Sequence, residues 1–198
     1  MVWQTIKNIF SRNKLADHMP PVRGKLTAFE PLHKKNWFGV GGPAEVFFEP
    51  ADSDDLSFFL KRLPDLPITI LGAGSNVLIR DGGIPGVTIH LTKNFAPLRV
   101  ERNLITVGAG IFVSELARVA EKNGLSGFEF LSGIPGSVGG AVRMNAGAYG
   151  RSISDCLVSL KIMTPDGLIQ TLDTADTRIF DYRVCSLPAA WIGVEAGF

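Results

Sequence analysis

The chain has 198 residues, 45% of them hydrophobic and 20% charged, with a formal net charge of +1. This is enough apolar content for a real core in one or two domains, and it excludes a disordered chain. Near-neutral charge leaves no electrostatic footprint for nucleic acid, and no apolar run approaches the ~20 residues of a membrane span.

Val2, Ile6, Ile9 and Phe10 share one helical face among Lys7, Arg12 and Lys14. That pattern suits a helix docked on the protein's own surface or, as the rarer alternative, on a membrane surface, and its charges argue against a signal peptide. Residues 1–35 read as this helix followed by an arm, since Pro20, Pro21, Gly24 and Pro31 punctuate residues 17–31. Residues 44–49 are a strand candidate, and Asp52 or Ser53 caps a helix carrying Leu56, Phe59, Leu60 and Leu63. A short β-branched strand, residues 67–71, enters the loop Gly72-Ala-Gly-Ser-Asn76; residues 77–80 resume a strand pattern, and Asp81-Gly82-Gly83 turns the chain. Residues 36–85 thus form a small α+β subdomain.

Residues 86–198 form a second subdomain, mostly strand. Val113, Leu116, Ala117 and Ala120 fall at helical spacing, and Gly124 ends that helix. Residues 157–163 and 168–172 flank the turn Thr164-Pro-Asp-Gly167 as a hairpin. Ile192, Val194, Ala196 and Phe198 alternate as a last strand without a polar tail, expected to leave an unprotected sheet edge. His18, His33 and His90 stand singly, so no metal site is expected. Cys156 and Cys185 are far apart and fit reduced thiols of a cytoplasmic protein.

Two segments carry the chemistry. The first is the loop after residue 71, with Gly72, Ala73, Gly74, Ser75, Asn76 and Val77. By itself it reads better as a bland turn, and only its pairing with the second segment makes it a ligand loop. It leads into a strand and not a helix, and it lacks the third glycine of a dinucleotide fingerprint and the lysine of a P-loop. The second runs from Glu129 to Gly150 and holds six glycines at 133, 136, 139, 140, 147 and 150. Its main chain can approach a ligand closely, and its amides, entering a short helix, suit phosphate oxygens. Ser75 and Asn76 are read as ligand contacts; Ser137 reads equally as a contact or a turn cap.

The segments Ile70-Leu-Gly-Ala-Gly-Ser-Asn-Val-Leu-Ile-Arg-Asp81, Gly127-Phe-Glu-Phe-Leu-Ser-Gly-Ile-Pro-Gly-Ser-Val-Gly-Gly140 and Met144-Asn-Ala-Gly-Ala-Tyr-Gly150 resemble the UDP-N-acetylenolpyruvoylglucosamine reductase family. Asn36-Trp-Phe-Gly39 and Tyr182-Arg183 match two further family motifs, in the family's order. The resemblance implies an α+β fold of the vanillyl-alcohol-oxidase or PCMH type: a small N-terminal α+β unit on a mainly antiparallel sheet with flanking helices.

It also implies noncovalent FAD, NADPH as reductant, and a nucleotide sugar as the small-molecule partner. Cofactor contacts are expected from the six loop residues at 72–77 and from Ile134, Pro135, Gly136, Ser137, Gly139, Gly140, Asn145, Gly147, Ala148 and Tyr149. Arg183 is implied as the catalytic residue, stabilising an enolate-like intermediate of the substrate. Tyr182 is placed on the substrate side, with a packing role as its alternative. The family's C-terminal substrate domain, which supplies a proton-donating serine and a late glutamate, is not found in this chain. A flavin-binding module without turnover is therefore the alternative reading, and another oxidase of the same flavin fold a third.

Overall fold

The computed structural model describes residues 14–92, 95, 98–174 and 179–198. The proposed helix face of Val2, Ile6, Ile9 and Phe10 lies outside them. A single turn of helix, α1 (Lys14–Asp17), precedes a four-stranded sheet built from β1 (Lys25–Pro31), β2 (Pro43–Glu49), β3 (Ile68–Leu71) and β4 (Ile84–His90). The sheet runs in the order β1-β2-β4-β3, with β1 antiparallel to β2 and both β2 and β3 parallel to β4.

Two expectations change here. The prolines and glycine of residues 17–31 read as an arm, yet Lys25–Pro31 is edge strand β1, its prolines falling at and beyond the strand ends, where no ladder bond is lost. The division drawn at residue 85 falls inside β4, so the first sheet extends beyond the predicted subdomain on both sides.

Helix α2 (Ser53–Leu60) starts where the Asp52 carboxylate accepts the Asp55 N–H at 2.9 Å, an N-cap. The Asp55 carboxylate turns inward and accepts the N–H groups of Arg23, Gly24 and Ala51 at 2.8, 2.8 and 3.0 Å, tying the segment before β1 to this helix. Residues 77–80, expected as a strand, join no ladder; Ile79 is buried and the Arg80 carbonyl accepts the Gly42 N–H at 2.9 Å.

The second unit holds β5 (Leu98–Glu101), β6 (Leu104–Gly108), α3 (Val113–Lys122), α4 (Val138–Arg143), the short pairs β7 (Gly147–Ala148) with β8 (Arg151–Ser152), β9 (Ser159–Met163) with β10 (Ile169–Asp173), β11 (Phe180–Asp181) with β12 (Val184–Cys185), and β13 (Ile192–Gly197). Five of these strands form an antiparallel sheet ordered β10-β9-β13-β6-β5. The last strand is therefore not the exposed edge that its lack of a polar tail suggested. β13 is the middle strand, with Ile192, Val194, Ala196 and Phe198 each at most 3% exposed. Its alternation signals burial of one face, and alternation carries no information on strand order.

One apolar cluster joins the two units. Val46, Phe48, Val87 and Ile89 of the first sheet and Phe59 of α2 pack with Met163, Ile192 and Val194 of the second. The turn after β9 docks on α2, where Ser57 Oγ donates to the Gly167 carbonyl at 2.6 Å. This shared core fixes the two walls of the groove described below. Among the described residues no helix is long and apolar enough to cross a membrane.

Candidate active site

β3 ends at buried Leu71, and the chain passes into the first glycine loop at the C-terminal end of that strand. Gly74 takes φ +69°, which a side chain rarely adopts, and a Cβ there would overlap the Lys35 carbonyl. None of the amides of residues 72–77 donates a hydrogen bond within the described residues, while the Gly74 carbonyl accepts from Trp37. Six unpartnered donors in sequence suit an anion bearing several oxygens.

The second glycine segment faces this loop. Ser75 Oγ lies within 3.4 Å of the Pro135 carbonyl, and Gly136, at φ +110°, leaves room for that hydroxyl. α4 behaves differently from the expectation of a phosphate-binding helix start. Its first two amides, Val138 and Gly139, donate to the carbonyls of Ile111 and Ala109 at 2.8 and 2.9 Å, so they are not available to a ligand. That leaves residues 72–77 as the donor-rich wall.

Between the walls lies a groove of about 630 Å³. It is lined by Gly72, Ala73, Gly74, Ser75, Asn76 and Val77 on one side and by Ile134, Pro135, Gly136, Ser137, Gly140 and Gly147 on the other. Arg143 and Arg183 are its charged lining residues, and among the described residues no carboxylate lines it. At one end it opens into a cavity of about 360 Å³ that includes Gly139, Leu91 and Trp191. At the other it shares Gly147 and Arg183 with an open cavity of about 450 Å³ holding Asn145, Ala148, Tyr149 and Tyr182. Through these shared lining residues the three spaces form one trough.

Residues 44–173 match the sequence pattern of the FAD binding domain. The chain belongs to that FAD-binding family.

Within it, the chain is 46% identical over 185 residues to a curated UDP-N-acetylenolpyruvoylglucosamine reductase of Parvibaculum lavamentivorans, covering 93% of this chain and 59% of that protein. A reductase of the same name from Erythrobacter litoralis is 49% identical over 177 residues, covering 88% and 54%. The chain thus spans a little under three-fifths of the length of these curated relatives. A solved UDP-N-acetylenolpyruvylglucosamine reductase from Thermus caldophilus superposes with a TM-score of 0.73 at 33% identity, covering 89% of this chain and 61% of that one. A solvent-stable cholesterol oxidase, 19% identical with a TM-score of 0.67 over 90% and 38% of the two chains, shares the fold. The α+β, PCMH-type flavin fold and FAD as cofactor follow.

The expected cofactor and substrate contacts of this FAD-binding chain all line the three spaces of the trough, but in different ways. The Asn145 side chain is buried. Its Nδ2 donates to the Asp181 carbonyl at 3.0 Å and its Oδ1 accepts the Ser154 N–H at 3.1 Å, so it works as a strut beneath Arg183. Arg183 is the second residue of the two-residue turn between β11 and β12, at φ +58°. Its Nη2 donates to the Gly147 carbonyl at 3.2 Å. Tyr149, at φ +53°, and Tyr182 are more than four-fifths exposed and rim the open end. Asn145, Tyr149 and Arg183 are three of the five described non-glycine residues with positive φ, a concentration of backbone strain at one place.

Sequence reading gave no ligand role to Arg143, Ile70, Ala141, Met144 and Ala146, all on the groove wall. For Arg143 the signal was present: an arginine interrupting an apolar run. For the others there was none, since a groove-lining alanine looks like a core alanine.

Proposed function

We propose that this chain serves the reduction of UDP-N-acetylglucosamine enolpyruvate to UDP-N-acetylmuramate, in the cytoplasm, with noncovalent FAD in the trough and NADPH as the source of electrons. The names of its relatives support the reaction. The observation that carries the reading is the placement of Arg183 where the groove meets the open cavity. On this reading the diphosphate meets residues 72–77 and the flavin ring lies along residues 134–149. Among the described residues no histidine or cysteine lines the groove, which supports noncovalent binding. FAD, when bound, supplies the hydride.

The chain's own residues orient and polarise. The Arg183 guanidinium carries a permanent charge and a planar donor fork, suited to the negative charge that develops on the substrate's carboxylate-bearing carbon. The Gly147 carbonyl holds one edge of it, leaving another edge for substrate. Tyr182 lines the substrate side from the same turn.

A second reading, flavin uptake without turnover by these 198 residues alone, is favoured by the open end itself. Tyr149 and Tyr182 are 83% and 84% exposed, so the described residues put little around a nucleotide sugar there. Asp155, the carboxylate lining that cavity, already accepts the Ser152 N–H. A positioned proton donor is worth about 10²–10⁴-fold. Anaerobic stopped-flow mixing of NADPH-reduced protein with the enolpyruvyl substrate separates the two. Rapid flavin reoxidation with UDP-N-acetylmuramate appearing, slowed by Arg183→Gln, supports turnover by this chain. Flavin reduction without substrate-dependent reoxidation supports the second reading, and failure to take up FAD defeats both.

A further inference from the structure

The neck of the trough, where the 630 and 360 Å³ spaces meet, is lined on both sides by Ile70, Gly72, Ser137, Gly140 and Arg143. Arg143 is the charged residue among these five. Its Nη1 donates to the Leu187 carbonyl at 2.7 Å and approaches that of Pro188 at 3.5 Å, which anchors one edge of the guanidinium. Nη2 and Nε have no partner among the described residues. Ser137 is only 4% exposed, yet its Oγ also has no hydrogen-bond partner among the described residues, and it sits against Gly72, where a Cβ would overlap that oxygen. Among the described residues no carboxylate lines either space.

We propose that Arg143, seconded by the Ser137 hydroxyl, is the counter-charge for the diphosphate of FAD at this neck. The inference rests on the cofactor reading above and adds a residue to it. Backbone amides at 72–77 are dipoles and leave the net charge of a diphosphate uncompensated. A guanidinium supplies that charge with two parallel donors matched to phosphate oxygens. Placed this way, the two arginines of the groove divide the work: Arg143 meets the linker phosphates, and Arg183 the reacting end.

The test is a titration of FAD into the flavin-free 198-residue protein, followed by quenching of flavin fluorescence, at about 50 and about 500 mM salt, where screening lengths differ several-fold. Arg143→Gln should weaken FAD about tenfold or more at low salt, the effect of losing one charge-assisted contact. The gap should shrink at high salt, and Arg143→Lys should recover part of it. ADP, used as a displacing ligand, should lose affinity in parallel, whereas adenosine should not. An Arg143→Gln protein that binds FAD within about twofold of wild type at low salt overturns the proposal. So does a loss of equal size at both salt concentrations, which would assign Arg143 to packing against Leu187. Wild-type protein that takes up no FAD would defeat the cofactor reading itself, a result distinct from either.

Discussion

Trp37 donates its backbone N–H to the carbonyl of Gly74 at 3.0 Å, and this bond fastens the donor-rich loop to the segment that precedes β2. Asn36 holds that segment in shape. Its Nδ2 donates to the carbonyls of Leu32 and Val40 at 2.7 and 2.8 Å, and its Oδ1 accepts the Gly39 N–H at 3.0 Å. The glycine at 74 is required by a neighbour inside the protein, the Lys35 carbonyl, and by its positive φ.

Gly74→Ala should accordingly destabilise the flavin-free protein. Forcing a side chain into the left-handed region costs about 1–3 kcal/mol, and overlap with the Lys35 carbonyl adds to it. Gly82→Ala, where a Cβ would meet nothing within 4 Å, serves as the control. Denaturant midpoints of the two apo variants check this. A Gly74→Ala protein as stable as wild type would show that the loop is not packed as described.

Asn145→Ala removes the bond to the Asp181 carbonyl at the Tyr182–Arg183 turn, and the one from the Ser154 N–H, and places alanine at φ +38°. Leaving the partners of a buried amide unmet costs about 1–3 kcal/mol per group. Amide hydrogen exchange in residues 180–185 should accelerate more than exchange in β6 and β13. Uniform acceleration would mean that Asn145 stabilises the whole unit and not the turn.

Asp52 caps α2, and its carboxyl is held below the ordinary carboxylate range, first by the Asp55 N–H and then by Arg23. A depressed folded-state pKa stabilises above the unfolded value, and that contribution is lost as pH falls through the folded one. Asp52→Ala should cost about 1 kcal/mol at neutral pH, as loss of an N-cap does. Asp52→Asn, which keeps the cap acceptor, should cost less and flatten the acid limb of the stability curve below about pH 4. Chemical denaturation across that range reads both effects.

Burial pushes the Cys156 thiol up to about 12, outweighing the nearby Arg151. The thiol, which donates to the Ile153 carbonyl at 3.4 Å, stays protonated through neutral pH. Because the thiolate is the nucleophile, iodoacetamide at about pH 8 should leave Cys156 unmodified in the folded protein and alkylate it in denaturant. Peptide mass mapping decides, and rapid alkylation of the native protein would contradict the burial.

The sequence by itself determined the local elements with strong periodicity: α3 from the spacing of Val113, Leu116 and Ala120, and the β9–β10 hairpin from its Pro-Asp-Gly turn. For the cap of α2 it offered Asp52 or Ser53, of which the structure uses Asp52. It also determined the family, because long glycine motifs stand in order along the chain. Those signals are legible because each depends on neighbours a few residues away.

What only the tertiary structure decided is how the pieces meet. β1 hides among prolines because its partner is Phe47 and its neighbours in β2, not anything nearby in sequence. β13 is central because β6 and β9 flank it, and a period of two looks the same at an edge or in the middle. Which amides stay free for a ligand was undecidable from glycine content. It depends on whether distant carbonyls, such as those of Ala109 and Ile111, come close enough to take them, and they take the first two of α4 and leave those of residues 72–77.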